Sequence, residues 1–62
     1  MGWQPISDAP KTYGANIVLL QDGIEYVDHE WFENAWCMVF CDQAGPYVAQ
    51  RLNNPTHWRY PE

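Results

Sequence analysis

Asp22-Gly23 lies between two runs of strand-forming residues, and no other dipeptide in the chain constrains the fold as strongly. A two-residue Asp-Gly loop suits positive φ at both positions, the geometry that joins antiparallel strands tightly. Residues 16–21 and 24–32 therefore predict a hairpin. Glu33-Asn34 predicts a second two-residue turn, leading into residues 35–42. Counting outward from the turns gives a register. Leu20 falls opposite Glu25 and Val18 opposite Val27 on the first hairpin. On the second, Phe32 faces Ala35, Trp31 faces Trp36, His29 faces Met38 and Val27 faces Phe40. Alternation then puts Val18, Leu20, Val27, Trp31, Trp36, Met38 and Phe40 on a core face. It puts Ile17, Leu19, Tyr26, Asp28, Glu30, Cys37, Val39 and Cys41 on a mixed face.

The flanks are less regular. Residues 1–15 carry two prolines and two glycines and read as an extended strap with a turn. Residues 46–52 suit a short helix: Pro46 fits the first helical position, Arg51 lies near the negative end of the dipole, and Asn53 can cap. Val48 and Leu52 would face the sheet. Tyr47 and Val48 also favour strands, so a fourth strand is the rival reading. Residues 56–60 return as an edge strand or strap with Trp58 inward. The expected fold is α+β: a three-stranded antiparallel meander, one short helix and extended terminal straps, with an all-β, four-stranded sheet as the alternative. Residues 1–62 form a single small domain.

A chain of 62 residues buries only about 60% of its unfolded surface. Its ten aromatic residues, Tyr13 among them, are the main source of apolar area, so most belong in the core. Cys37 and Cys41, four apart on a strand, hold their sulfurs about 13 Å apart, too far for a disulfide. Two buried free thiols then fit a reducing compartment. Together with His29 and His57 they are ligand types that zinc uses, but a strand spreads them and no zinc site is expected. Ser7, Asp8 and His57 lack any nucleophile-elbow or phosphate-loop context. Asp28 and Glu30 could do acid–base work only in a cleft that a domain this small scarcely provides. The reading is non-enzymatic, with no cofactor. The absence of an apolar run long enough to span a bilayer predicts an unanchored cytosolic protein.

Charge carries the functional signal. Eight acids face three bases, giving net −5, the wrong sign for direct nucleic-acid or anionic-membrane binding. Six acids and no lysine or arginine lie between Asp22 and Asp42. Asp28 and Glu30 are expected on one strand face about 6.8 Å apart, roughly two steps of the phosphate spacing along a nucleic-acid strand. Asp22, Glu25, Asp28, Glu30, Glu33 and Asp42, with Tyr26 at the rim, are the candidate contacts for a basic protein surface. An alternative is a structural or assembly role in which aromatic surface (Tyr26, Tyr47, Tyr60) drives self-association.

Two segments together carry a resemblance. Trp3-Gln4-Pro5-Ile6-Ser7-Asp8-Ala9-Pro10-Lys11 and Pro55-Thr56-His57-Trp58 resemble the opening and closing motifs of the small phage and prophage family known only as domain of unknown function 551. The chain departs from the family pattern at Thr12-Tyr13-Gly14, where Asp-Gly is usual, and at Arg59 and Tyr60, where apolar and proline residues are usual. The family has no established activity, so no site residues are carried over. The resemblance implies a setting: a phage accessory protein in the bacterial host cytoplasm. By analogy with small acidic phage proteins, it implies an inhibitor of host defence, such as an anti-CRISPR protein, aimed at a basic host protein such as a nucleic-acid-binding defence complex.

Overall fold

The computed structural model describes residues 2–12 and 14–61, so Met1, the aromatic Tyr13 and the acid Glu62 lie outside the described residues. Six antiparallel strands form one sheet: β1 (Gln4–Pro5), β2 (Ile17–Gln21), β3 (Ile24–Phe32), β4 (Ala35–Asp42), β5 (Gly45–Leu52) and β6 (His57–Arg59). Their spatial order is β1-β6-β2-β3-β4-β5. The only helical element among the described residues is a 3₁₀ turn at Ile6–Asp8. The α+β expectation is therefore wrong. The four-stranded alternative had the right class and too few strands.

The helix expected over residues 46–52 is strand β5. Two local causes favour the strand. Asp42 Oδ1 accepts the Ala44 N–H at 2.8 Å, and Gly45 takes φ 112°, which closes a two-residue loop and sends the chain back along β4. A seven-residue helix would be too short to stand without an apolar stripe, whereas the edge of β4 offers a complete ladder. Pro46, lacking an N–H, is tolerated because β5 is an edge strand.

The two turns expected from sequence are present. Asp22 and Gly23 have φ of 54° and 76°, and Glu33 and Asn34 have 51° and 63°, as tight hairpins require. Near the turns the register follows: Leu20 pairs with Glu25, and Trp31 pairs with Trp36, their rings edge-to-face at 4.9 Å. Farther out it fails. Leu19 pairs with Tyr26 but Ile17 pairs with His29, so β3 spends one residue more than β2 over the same distance. The extra residue is a bulge around Asp28, whose φ is 58°. The ring of His29 fastens it, Nδ1 donating to the Val27 carbonyl at 2.8 Å. The β3–β4 pairing ends at Glu30–Cys37, so the expected His29–Met38 and Val27–Phe40 partners do not meet.

The bulge reverses the faces of the first hairpin, and the outer end of β4 runs past the core. Ile17 and Leu19, expected on the mixed face, are 1% and 0% exposed and join Ala9, Trp36, Leu52 and Trp58 in the core. Val27 and Phe40, expected in the core, are 54% and 49% exposed. Val18 is buried as well, which marks β2 as a central strand covered on both sides. Ile6, Tyr26 and Trp31 pack around the core's margin. Leu52, at the end of the edge strand, shares a cluster with Leu19 and Trp58 from the other side of the sheet, so the sheet is rolled.

The return strand completes the roll. Thr56 N–H donates to the Leu20 carbonyl at 2.8 Å, and Ile6 N–H donates to the Thr56 carbonyl at 3.0 Å. Trp58 then pairs with Leu19 on one side and Gln4 on the other. Its position inside the core, as expected, follows from that register. Trp58 Nε1 and His29 Nε2 are buried without hydrogen-bond partners among the described residues.

Candidate functional site

The acids expected to form one sheet face are placed in three different ways. Glu30 points inward: it is 7% exposed, and its carboxylate accepts the Gly14 N–H at 2.5 Å. Its task is to fasten the N-terminal strap to β3. Glu25 is exposed and binds Arg59 at 3.0 Å. Asp22, Asp28, Glu33 and Asp42 are exposed, at the first turn, the bulge, the second turn and the start of the third turn. Asp28 and Glu30 therefore do not form the expected pair, because the bulge removes the alternation that would have set them side by side. Tyr26 is half-buried against the core, edge-on to His29 at 5.8 Å.

Three of the exposed acids share a backbone feature, only partly anticipated from the sequence. Asp22, Asp28 and Glu33 all occupy left-handed conformations. Aspartate tolerates that region moderately well; glutamate does not, and glycine or asparagine would be favoured at each position. Asp22 was legible from Asp-Gly, and Glu33 in outline from Glu-Asn. The bulge at Asp28 left no such mark.

Two of the bases are turned toward aromatic rings. Lys11 Nζ lies 4.6 Å from the centre of the Trp31 ring, and the Arg59 guanidinium 5.0 Å from that of Trp3. Arg51 lies beside Cys37 on β5's neighbour and is exposed. The molecule thus holds part of its positive charge against its own rings while its turns present carboxylates.

The cysteines differ from expectation in one respect. Both are free, but only Cys37 is buried; Cys41 is exposed. Burial pushes the Cys37 thiol above its ordinary value, nearby Arg51 pulls it back in part, and Glu33 and Glu30 raise it. Its Sγ donates weakly to the Phe32 carbonyl at 3.7 Å. Among the described residues no three His, Cys, Asp or Glu side chains gather closely enough to hold a metal. His57 instead donates from Nδ1 to Thr56 Oγ1 at 2.9 Å, and that hydroxyl donates to the Leu20 carbonyl at 3.3 Å.

A shallow pocket of about 350 Å³ opens beside β6, lined by Gly2, Gln4, Trp58, Arg59 and Tyr60. Its ionisable side chains are Arg59 and Tyr60, and it gathers no acid–base pair. No helix among the described residues is long and apolar enough to cross a membrane. Comparison with known protein families, curated proteins and solved structures finds no match to this chain.

Proposed function

We propose that the protein is a non-enzymatic binding domain that engages a basic protein surface through carboxylates carried on its turns and bulge. One observation carries this reading: Asp22, Asp28 and Glu33 hold carboxylates at left-handed positions where an uncharged asparagine or glycine would fold better. A left-handed glutamate costs on the order of 1 kcal/mol, so Glu33 above all sits where conformation alone would not select its side chain, while aspartate is tolerated at Asp22 and Asp28. With Glu25 and Asp42 they form a distributed acidic surface rather than the flat face expected from alternation. The terminal motifs supply the setting of this proposal, a phage accessory protein in the bacterial cytoplasm. There a carboxylate-bearing surface would compete with nucleic acid for a basic channel, as an inhibitor of host defence does.

The test uses asparagine, which suits positive φ and removes charge without reversing it. The triple variant Asp22→Asn, Asp28→Asn, Glu33→Asn goes from net −5 to −2, one unit for each replacement. It should fold at least as well as the parent. In capture from a bacterial host lysate, the parent should retain basic proteins at low salt. The variant should lose them, as should the parent when salt is raised. Equal capture by both proteins would sink the reading.

A further inference from the structure

Trp31, Trp36 and Leu52 form a row across β3, β4 and β5, since Trp31 pairs with Trp36 and Trp36 with Leu52. The strap and the loop after β5 (residues 53–55) stand opposite this row and leave two clefts against it. One, of about 230 Å³, lies by the second turn, with Asn34, Arg51 and Asn53 at its rim. The other, of about 270 Å³, lies by the strap, with Ser7, Lys11 and Asn54 at its rim. Trp31, Trp36 and Asn53 line both, so the clefts are two lobes of one mouth.

Charge at this mouth runs against that of the rest of the molecule. The chain has eight acids and three bases, yet two of the bases, Lys11 and Arg51, line the mouth. Among the described residues no acid lines it. Arg59, the third base, is paired with Glu25. Lys11 and Arg51 have no ion pair among the described residues, although carboxylates are plentiful. The Lys11 ammonium rests instead on the Trp31 ring, 4.6 Å from its centre. Ser7, Asn34, Asn53 and Asn54 are exposed and neutral, and each can both donate and accept a hydrogen bond. Two unpaired cations, amides that read either polarity and an indole floor are complementary to a flat ring that carries an anion.

We infer that this mouth binds a nucleoside monophosphate. The strap lobe takes the phosphate, with the Lys11 ammonium, the Ser7 hydroxyl and the Asn54 amide donating to its oxygens. An exposed cation–ring contact is weaker than a charge-assisted hydrogen bond to phosphate, so Lys11 exchanges the Trp31 ring for the ligand. The turn lobe takes the base. Its flat face lies on the Trp31 indole, which is half-buried and is uncovered as Lys11 leaves. The amides of Asn34 and Asn53 meet the donors and acceptors along the base edge, and the planar Arg51 guanidinium closes over the ring. Charge also limits the size of the ligand. A longer strand would carry its further phosphates past Glu33, the neighbour of Asn34, and over a surface of net −5, whereas a single phosphate meets only the mouth. This binding is independent of the contact proposed for the acidic turns, whose carboxylates line neither lobe.

Isothermal titration calorimetry with the common ribonucleoside monophosphates, a ribose phosphate, inorganic phosphate and a short oligothymidylate tests it. At least one monophosphate should bind with a Kd of ~100 μM or tighter. Ribose phosphate and inorganic phosphate, which lack the base, should bind at least ~10-fold more weakly. Lys11→Gln and Arg51→Gln should each weaken nucleotide binding at least ~10-fold with the melting temperature unchanged, both residues being exposed. The triple variant Asp22→Asn, Asp28→Asn, Glu33→Asn should bind the nucleotide no less tightly than the parent, which keeps this site separable from the acidic surface. Absence of binding by every monophosphate up to ~1 mM overturns the inference. Ribose phosphate binding as tightly as the nucleotide also overturns it and makes the mouth a sugar-phosphate site. So does an oligothymidylate that binds more tightly than any monophosphate, or an affinity indifferent to both Lys11→Gln and Arg51→Gln.

Discussion

The rolled part of the sheet and the β4–β5 hairpin are built from the same kind of sequence and end in opposite states. In the roll, Ile17, Leu19, Trp36, Leu52 and Trp58 enclose one another, and the strap and β6 add backbone bonds around them. In the outer hairpin Phe40, Tyr47 and Val48 are as apolar but largely exposed. The contrast teaches that in a chain of this length apolar character does not decide burial. Position relative to a bulge and to the returning strand does.

The largest effect should come where the two regions join. Trp36 is on β4, yet it is 6% exposed and packs with Leu52 and with Trp31 at the margin. Trp36→Ala should cost about 3–5 kcal/mol, a large share of the stability of any small domain. Denaturant titration should find the variant unfolded or nearly so. A midpoint close to that of the parent would show that the hairpin's base is not part of the core.

A second effect tests whether the strap belongs to the roll. Glu30→Ala leaves the Gly14 N–H without its carboxylate, and hydrogen bonds to charged groups contribute roughly 1.5–3 kcal/mol. The same change at exposed Glu33 should shift stability by no more than about 0.5 kcal/mol. Equal losses at both positions would mean that Glu30 does not fasten the strap.

This difference between two glutamates shows what the sequence could and could not convey. Both turns were legible because Asp22-Gly23 and Glu33-Asn34 are local signals, and the pairs next to them, Leu20–Glu25 and Trp31–Trp36, followed by counting. The bulge was not legible. It arises where Ile17 and Leu19 must both face the core while Tyr26 and Trp31 do the same, a demand set by tertiary packing. Ile17 and Leu19 were assigned to the mixed face and Val27 to the core for that reason, while Trp31 and Trp36, anchored by their own turn, kept theirs. The β5 strand was hidden for a related reason: its competitor, a helix, satisfied local propensity, and only β4's unpaired edge decided against it. The candidate acids were singled out by charge, but their grouping depended on the alternation that the bulge destroys.

A smaller effect should appear at the exposed end of the hairpin. Phe40→Ala removes a half-exposed ring that pairs with Tyr47 near the hairpin's tip. Loss of that ring pair should cost about 0.5–1.5 kcal/mol. A loss as large as that of Trp36→Ala would erase the distinction between the two regions.

The smallest effect separates the two cysteines on β4 and follows from burial. Cys41, near the turn, is exposed and should react with a thiol reagent in the native protein; Cys37, in the buried half of the strand, should react only as the protein unfolds. Burial raises the folded-state affinity of the Cys37 thiol for its proton above its ordinary value of 9.0. The folded state therefore binds more proton than the unfolded state above that pH. The contribution of the neutral thiol is fully present below about 9.0 and declines as pH rises toward the folded-state value. Other groups titrate in the same range, so the measurement is a difference: unfolding free energy against pH for the parent minus that for Cys37→Ala. The difference should be flat from neutral pH to about 9.0 and then move against the parent. Arg51 opposes this shift by favouring the thiolate, so Arg51→Gln should steepen the decline. A difference that stays flat through the alkaline range, together with equal labelling of both thiols, would show that the inner half of β4 is no better covered than its tip.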